Sequence, residues 1–168
     1  FVLAYEERGG PEVAVRAAGL LRDYGGQFRH AMAVTHPADI PGEFIGKGGN
    51  ITYAARELEK YLEQAGIDPL RVLVTTLDAD NRPDPKYLAC LSYVYSVCPD
   101  PVHASFQPLA MYTNNIWDAP APMRVVATGN SFYNIVISQR HHALRNFSAH
   151  AQPMAALIQT DYWSVRTI

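Results

Sequence analysis

Val72-Leu73-Val74-Thr75-Thr76-Leu77, followed at once by Asp78-Ala79-Asp80-Asn81-Arg82-Pro83-Asp84-Pro85, decides how the chain reads. Val, Leu and Thr suit an enclosed, pleated strand, and the Asn, Pro and Asp that follow mark a turn. The strand therefore delivers two carboxylates into a loop. Ligands of open α/β sheets collect beyond the carboxyl ends of strands. Alternate residues of an extended segment point the same way, so Asp78 and Asp80 are expected to face one cation together. A hard divalent ion, Mg or Mn, held by one or two carboxylates and by substrate phosphates suits such a pair.

Simpler roles compete for the same acids. Asp84 with Pro85 reads as an N-cap and first helical residue ahead of Lys86-Tyr87-Leu88-Ala89-Cys90-Leu91, which explains Asp84 but not the earlier pair. An EF-hand loop starting at Asp78 is excluded, because Pro83 stands where Gly is needed and Ala89 where the closing Glu belongs.

At 168 residues the chain suits one domain with a substantial core. A formal net charge of -2 gives no electrostatic reason to expect nucleic acid as a partner. No stretch approaches an uninterrupted membrane span, and Phe1 to Tyr5 runs directly into Glu6-Glu7-Arg8 rather than a signal peptide, so the chain reads as soluble. Cys90 and Cys98 form neither a disulfide framework nor a metal spacing. Asn50-Ile51-Thr52 and Asn146-Phe147-Ser148 match a glycosylation tripeptide that recurs often by chance. A core strand beginning at residue 1 suggests an excised segment of a longer protein.

Strand and helix patterns alternate along the chain. Phe1 to Tyr5 is a strand, and Pro11 to Tyr24 an amphipathic helix ended by Gly25-Gly26. Arg29 to Thr35 is a strand, and His36 to Gly49 a Pro- and Gly-rich loop. A helix capped by Asn50 closes at Gly66. Beyond the Val72 to Leu77 strand come a helix over Pro85 to Val97, a strand over Val102 to Phe106, a long loop over Pro108 to Pro122, a helix over Met123 to Leu144 and a short strand over Phe147 to Ala151. The rhythm predicts an α/β fold with a mainly parallel sheet covered by helices on both faces, a Rossmann-like three-layer sandwich.

Glu6-Glu7 at the end of the first strand, Gly46-Lys47-Gly48-Gly49-Asn50 opening a helix, Leu77-Asp-Ala-Asp-x-x-Pro83 after a later strand and Phe106-Gln107-Pro108 after the next occur together in this order. The order resembles the family 2 glycosyltransferases with the GT-A fold, especially the membrane-associated relatives of cellulose and hyaluronan synthases. The resemblance spans most of residues 1–168 and implies a single catalytic-domain fragment shortened at both ends.

By that resemblance Glu6 or Glu7 takes the place of an Asp contacting the nucleotide base, and Lys47 and Asn50 match the lysine and its companion near the nucleotide. Asp78 would contact the ribose or uridine, and Asp80 would hold Mg or Mn against the diphosphate, the two forming the metal site. Gln107, Asn114, Asn115, Trp117 and His150 fall on the acceptor side. The implied reaction is inverting transfer from a nucleotide-diphosphate sugar, such as a UDP-sugar, to a carbohydrate or lipid-linked acceptor. The parent would work at the cytoplasmic face of a membrane through segments outside this chain.

The chemistry agrees, since a departing diphosphate needs a cation and a lysine to neutralise it, and glycines beside Lys47 with a helix N-terminus behind them suit phosphate. Trp117 can pack or can stack on a sugar ring. His141 and His142 diverge on a helix and lack metal-ligand spacing, and Ser148 has no nucleophile-elbow context.

The chain departs from the family at the general base, normally the Asp of a Glu-Asp doublet. Asp161 is its one late substitute, and the base is expected just beyond Ile168. The opening strand, the Gln-x-x-Arg-Trp region and the membrane helices are also missing, and the exposed sheet edge predicts self-association. Two other functions remain open. A sugar-phosphate nucleotidyltransferase would want Arg and Lys in the loop where Gly9-Gly10-Pro11 stands, and a non-catalytic nucleotide-sugar binding or assembly module would need no base.

Overall fold

The computed structural model describes residues 1–114, 116–140 and 149–165. Asn115, His141, His142, Ser148 and the ends of the expected Met123 to Leu144 helix and Phe147 to Ala151 strand lie outside them. The architecture is mixed α/β and divides into two compact units, residues 1–72 with 154–168, and residues 73–153. No described helix is long and apolar enough to cross a membrane.

The first unit begins with strand β1 (Val2–Glu6), helix α1 (Pro11–Tyr24), strand β2 (Met32–His36) and helix α2 (Lys47–Gln64). β1 and β2 pair in parallel, from Val2 opposite Met32 to Glu6 opposite His36, and α1 and α2 both pack on them. Pro11 opens α1 because a first-turn residue needs no N–H partner. The core is made of small and branched side chains, Ala17, Val34, Ala54, Ala55 and Leu62, which let the helices approach the strands closely. Helix α5 (Met154–Gln159) adds Met154 and Leu157, the largest of the fully buried side chains. Each is worth about 1.5–3 kcal/mol of burial.

α2 ends as the sequence predicts. Gly66 has φ 65, its N–H bonds the Glu63 carbonyl at 3.1 Å, and the Ile67 N–H bonds Leu62 at 2.9 Å. The two bonds form a Schellman motif that satisfies the last carbonyls. The start of α2 differs from expectation, because the helix begins at Lys47 and Asn50 lies inside its first turns rather than at the cap. Poor helix formers are admitted there by packing. A Cβ on Gly48 would sit 2.4 Å from the Ser164 carbonyl oxygen, and one on Gly49 would sit 3.0 Å from a Glu43 carboxylate oxygen.

The segment after α5 runs back along α2. Arg56 on α2 pairs with Asp161 at 3.1 Å and lies over the Tyr162 ring, and the Tyr162 hydroxyl donates to Glu59. Thr52 donates to the Trp163 carbonyl at 3.1 Å, and the Phe44 N–H bonds Val165 at 3.0 Å. Asp161 and Tyr162 both hold left-handed backbone, φ 53 and 66, a conformation that L-residues keep only when their surroundings enforce it.

In the second unit strand β3 (Leu73–Thr76) pairs with strand β4 (His150–Pro153), antiparallel, from Leu73 opposite Pro153 to Thr76 opposite His150. Parallel pairing is thus confined to β1 and β2 among the described residues. Apolar alternation predicts that a segment is a strand but carries no signal for the direction of its partner. The strand expected over Val102 to Phe106 is also absent. Pro101–His103 is a turn of 3₁₀ helix, held by His103 bonding the Asp100 carboxylate at 2.9 Å, and Phe106 alone joins β4 as a bridge to Ala151. Helix α3 (Tyr87–Val97) and helix α4 (Ala121–Ser138) complete the unit.

Candidate functional site

The acidic turn lies at the end of β3, as the sequence predicts, but its chain is folded rather than extended. The Asn81 N–H bonds the Asp78 carbonyl at 2.9 Å, which closes a four-residue turn. The Asn81 side chain works in both directions, its oxygen accepting from the Asp78 N–H at 3.0 Å and its amide donating weakly to the Asp80 carboxylate at 3.4 Å. Asn114 ties the turn from outside, donating to the Asp80 carbonyl at 2.7 Å. The two aspartates therefore share a rim because of this bonding, and the period-two argument made from sequence does not apply. Asp78 is half-buried and Asp80 exposed.

Both line a cavity of about 850 Å³, together with Asn81, Arg82 and Asp84 of the same loop. That size is within the range of small-molecule sites. Three carboxylates against one guanidinium make this rim negative. Asp84 is engaged, since its carboxylate accepts from the Lys86 N–H at 2.8 Å and its carbonyl from Tyr87 at 2.8 Å. Asp84 is thus not the expected N-cap: its bonds close the turn before the helix, and α3 starts at Tyr87 with Lys86 at the cap and Pro85 in that turn.

The rest of the lining forms a mostly apolar wall. α3 contributes Tyr87, Leu91 and Val94, and residues 105–112 contribute Phe106, Leu109 and Met111 among others. Bonds to α4 and β4 hold this wall. On α4 the Ser131 hydroxyl accepts from the Tyr112 N–H at 3.1 Å, and Asn134 donates to the Ala110 carbonyl at 3.0 Å. Gln107 also lines the cavity and donates to the Ala149 carbonyl at 2.9 Å, which fastens its loop to β4. Tyr95 packs edge-on against Phe106, with ring centroids 5.9 Å apart. Burial pushes the Tyr87 phenol pKa up, with Thr75 opposing the shift, although no partner among the described residues meets hydrogen-bond geometry at its hydroxyl. None of the α3 residues or the Leu109 to Tyr112 wall was singled out from sequence. The available signal was the apolar character of α3 on every side, since a helix of that kind is not meant to face water all round.

The other residues expected on the acceptor side are less concentrated. Asn114 reaches the rim. Trp117 is 81% exposed, with the Arg124 guanidinium 5.6 Å above its ring, and is outside the cavity lining. His150 is buried on β4, where the Thr76 hydroxyl bonds its ring nitrogen and its carbonyl, each at 3.3 Å.

The other residues selected from sequence belong to the first unit. Glu6 ends β1, while Glu7 accepts from the Ala38 N–H at 2.9 Å and so holds the loop after β2. Lys47 is the first residue of α2 and is exposed. The Asn50 side-chain oxygen is buried, with no hydrogen-bond partner among the described residues. A buried pair that sequence reading missed stands close by, His36 at the end of β2 bonding Glu43 at 2.9 Å. Asp161, the late substitute for a general base, is exposed and pairs with Arg56.

Asp78 and Asp80 offer carboxylate oxygens, the donor type a hard divalent cation takes, while no cluster of three or more His, Cys, Asp or Glu side chains able to hold a metal occurs among the described residues. Asp78 and Asp80 would thus provide two ligands, and an ion such as Mg commonly completes its octahedron with water and substrate phosphate. In comparisons with known proteins, no protein-family model, curated sequence or solved structure matches the chain.

Proposed function

We propose that this chain carries the donor site of an inverting, metal-dependent glycosyltransferase built on a GT-A-like fold. The observation that carries the reading is the Asn81-braced turn, which holds Asp78 and Asp80 on one rim of a ligand-sized cavity at the end of β3. In the proposed reaction the acceptor hydroxyl attacks the anomeric carbon, its oxygen forming the new bond while the bond from carbon to the phosphate oxygen breaks. The nucleoside diphosphate departs with that electron pair, and the hydroxyl proton goes to a base. A divalent cation, when bound, neutralises the departing phosphates.

The roles of this chain's residues follow. Asp80, exposed, is assigned to the cation, and half-buried Asp78 to the cation and the ribose. Asn81 keeps the two side by side without itself meeting substrate. Glu7 is assigned to its bond with Ala38, and Glu6, Lys47 and Asn50 belong with it to the other unit.

Titration calorimetry with UDP, with and without Mn, tests the proposal. Wild-type protein should bind UDP in a Mn-dependent way, and Asp80→Ala should weaken that binding at least ~10-fold, the equivalent of about 1.4 kcal/mol. Binding that ignores both Mn and the substitution, or no binding at all, would remove the donor-site reading and leave a structural module.

A further inference from the structure

Within the first unit, residues 160–165 turn back after α5 and lie along a single stripe of α2. Gly48, Thr52, Arg56 and Glu59 fall at helical spacing on one face, and each meets this segment. Asp161 pairs with Arg56 at 3.1 Å, the Tyr162 hydroxyl donates to Glu59, and the Trp163 carbonyl accepts from Thr52 at 3.1 Å. The Ser164 carbonyl oxygen then occupies the place that a side chain at Gly48 would need. Val165 ends the series by accepting from the Phe44 N–H at 3.0 Å. The segment is thus a strap that passes the start of α2 and fastens the loop before it. That loop, residues 37–46, carries Glu43, the partner of buried His36 at the carboxyl end of β2.

The contacts of the strap are offset by its own turn. The Arg56–Asp161 pair is solvent-exposed, its side chains 45% and 85% accessible, and such pairs add little. Asp161 and Tyr162 are consecutive left-handed residues, neither of them glycine, which is unfavourable backbone for both. Swinging the strap outward about these two residues relieves that backbone and leaves Met154 and Leu157 of α5 buried. We propose that residues 162–165 open about Asp161 and Tyr162 as a local step, uncovering Gly48 and loosening the 37–46 loop. The strap in this way gates the carboxyl end of β2, the kind of place where ligands of parallel strands gather. The inference stands apart from the transferase reading, which concerns the other unit.

Amide hydrogen exchange of the whole chain, followed by NMR, separates strap opening from unfolding. The Phe44 N–H, bonded to Val165, reports the strap, and the N–H of Ala54, buried on α2, reports the unit. In wild type, sub-denaturing urea should speed exchange at Ala54 and leave Phe44 within ~2-fold, because a local opening exposes little surface. Val34→Ala, in the core, should speed Ala54 at least ~10-fold and leave Phe44 as it was. Tyr162→Phe removes the bond to Glu59, and Gly48→Ala sets a Cβ against the Ser164 carbonyl. Each should speed Phe44 at least ~5-fold, the scale of one lost hydrogen bond, with exchange there still indifferent to urea. Alanine is the better helix former, so faster exchange at Phe44 in Gly48→Ala reads the clash. His36, 8% exposed with the strap closed, should react faster with diethyl pyrocarbonate in both strap variants.

Phe44 exchange that follows Ala54, in urea or in Val34→Ala, would overturn the inference by making the strap part of the cooperative core. Phe44 exchange left at the wild-type rate by either strap variant would overturn it as well, since the named contacts would not be what holds the segment. Unchanged His36 reactivity in both variants would overturn the gating of β2.

Discussion

At Asn81 a single side-chain amide serves two neighbours, accepting from the Asp78 N–H and donating to the Asp80 carboxylate. A rim built on such short-range bonds is cheap to encode, because the residues involved are adjacent and turn formers by nature. Tyr162 is placed by long-range contacts instead. Burial pushes its phenol pKa well up, and hydrogen bonding to Glu59 and the negative charges of Glu59 and Asp161 add to the shift, with Arg56 opposing it. The folded protein therefore keeps a proton that the unfolded chain releases near pH 10. The stabilisation is complete below that pH and falls as pH rises toward the folded-state value. Urea unfolding midpoints should decline between about pH 9.5 and 11, and Tyr162→Phe should flatten that decline. An equally steep decline in the variant would show that other groups govern it.

At the scale of elements, glycine usage separates two kinds of local decision. Gly66 ends α2 in left-handed backbone with open space around an added Cβ, so only the φ angle restricts it. Gly66→Ala should lower stability by about 1–2 kcal/mol with no change in the folded contacts, read from chemical denaturation. Gly48 has no such φ requirement. There the Ser164 carbonyl excludes a side chain, a tertiary reason invisible to helix propensity. The first of these was legible in sequence and the second was not, which is why α2 was expected to start at Asn50 and in fact starts at Lys47.

On the scale of the whole molecule, apolar surface is the dominant feature. On α4 alone Met123, Val125, Val126, Phe132, Tyr133 and Val136 each exceed half exposure, and the helix carries Arg124 as its one charged residue. Val125, Val126, Phe132, Tyr133 and Val136 recur at helical spacing and form a stripe. Contiguous exposed apolar surface on this scale drives association. The protein should scatter light increasingly with concentration, and the double variant Val125→Glu, Phe132→Lys should suppress the scattering while leaving the unfolding midpoint within about 0.5 kcal/mol of wild type. A marked loss of stability instead would mean that the stripe is part of the core.

Sequence alone determined that strand and helix alternate as far as α3, that α1 begins at Pro11 and α2 ends at Gly66, and that two aspartates follow β3 in a turn. All of these depend on interactions within a few residues, where side-chain type dictates backbone geometry. Tertiary structure alone decided that β4 runs antiparallel to β3, that Phe106 joins β4 as a single bridge, and that α3 and the Leu109 to Tyr112 segment give the acidic turn an apolar wall. Strand direction and cavity walls arise from hydrogen bonds and packing between residues tens of positions apart, and local periodicity holds no record of such partners.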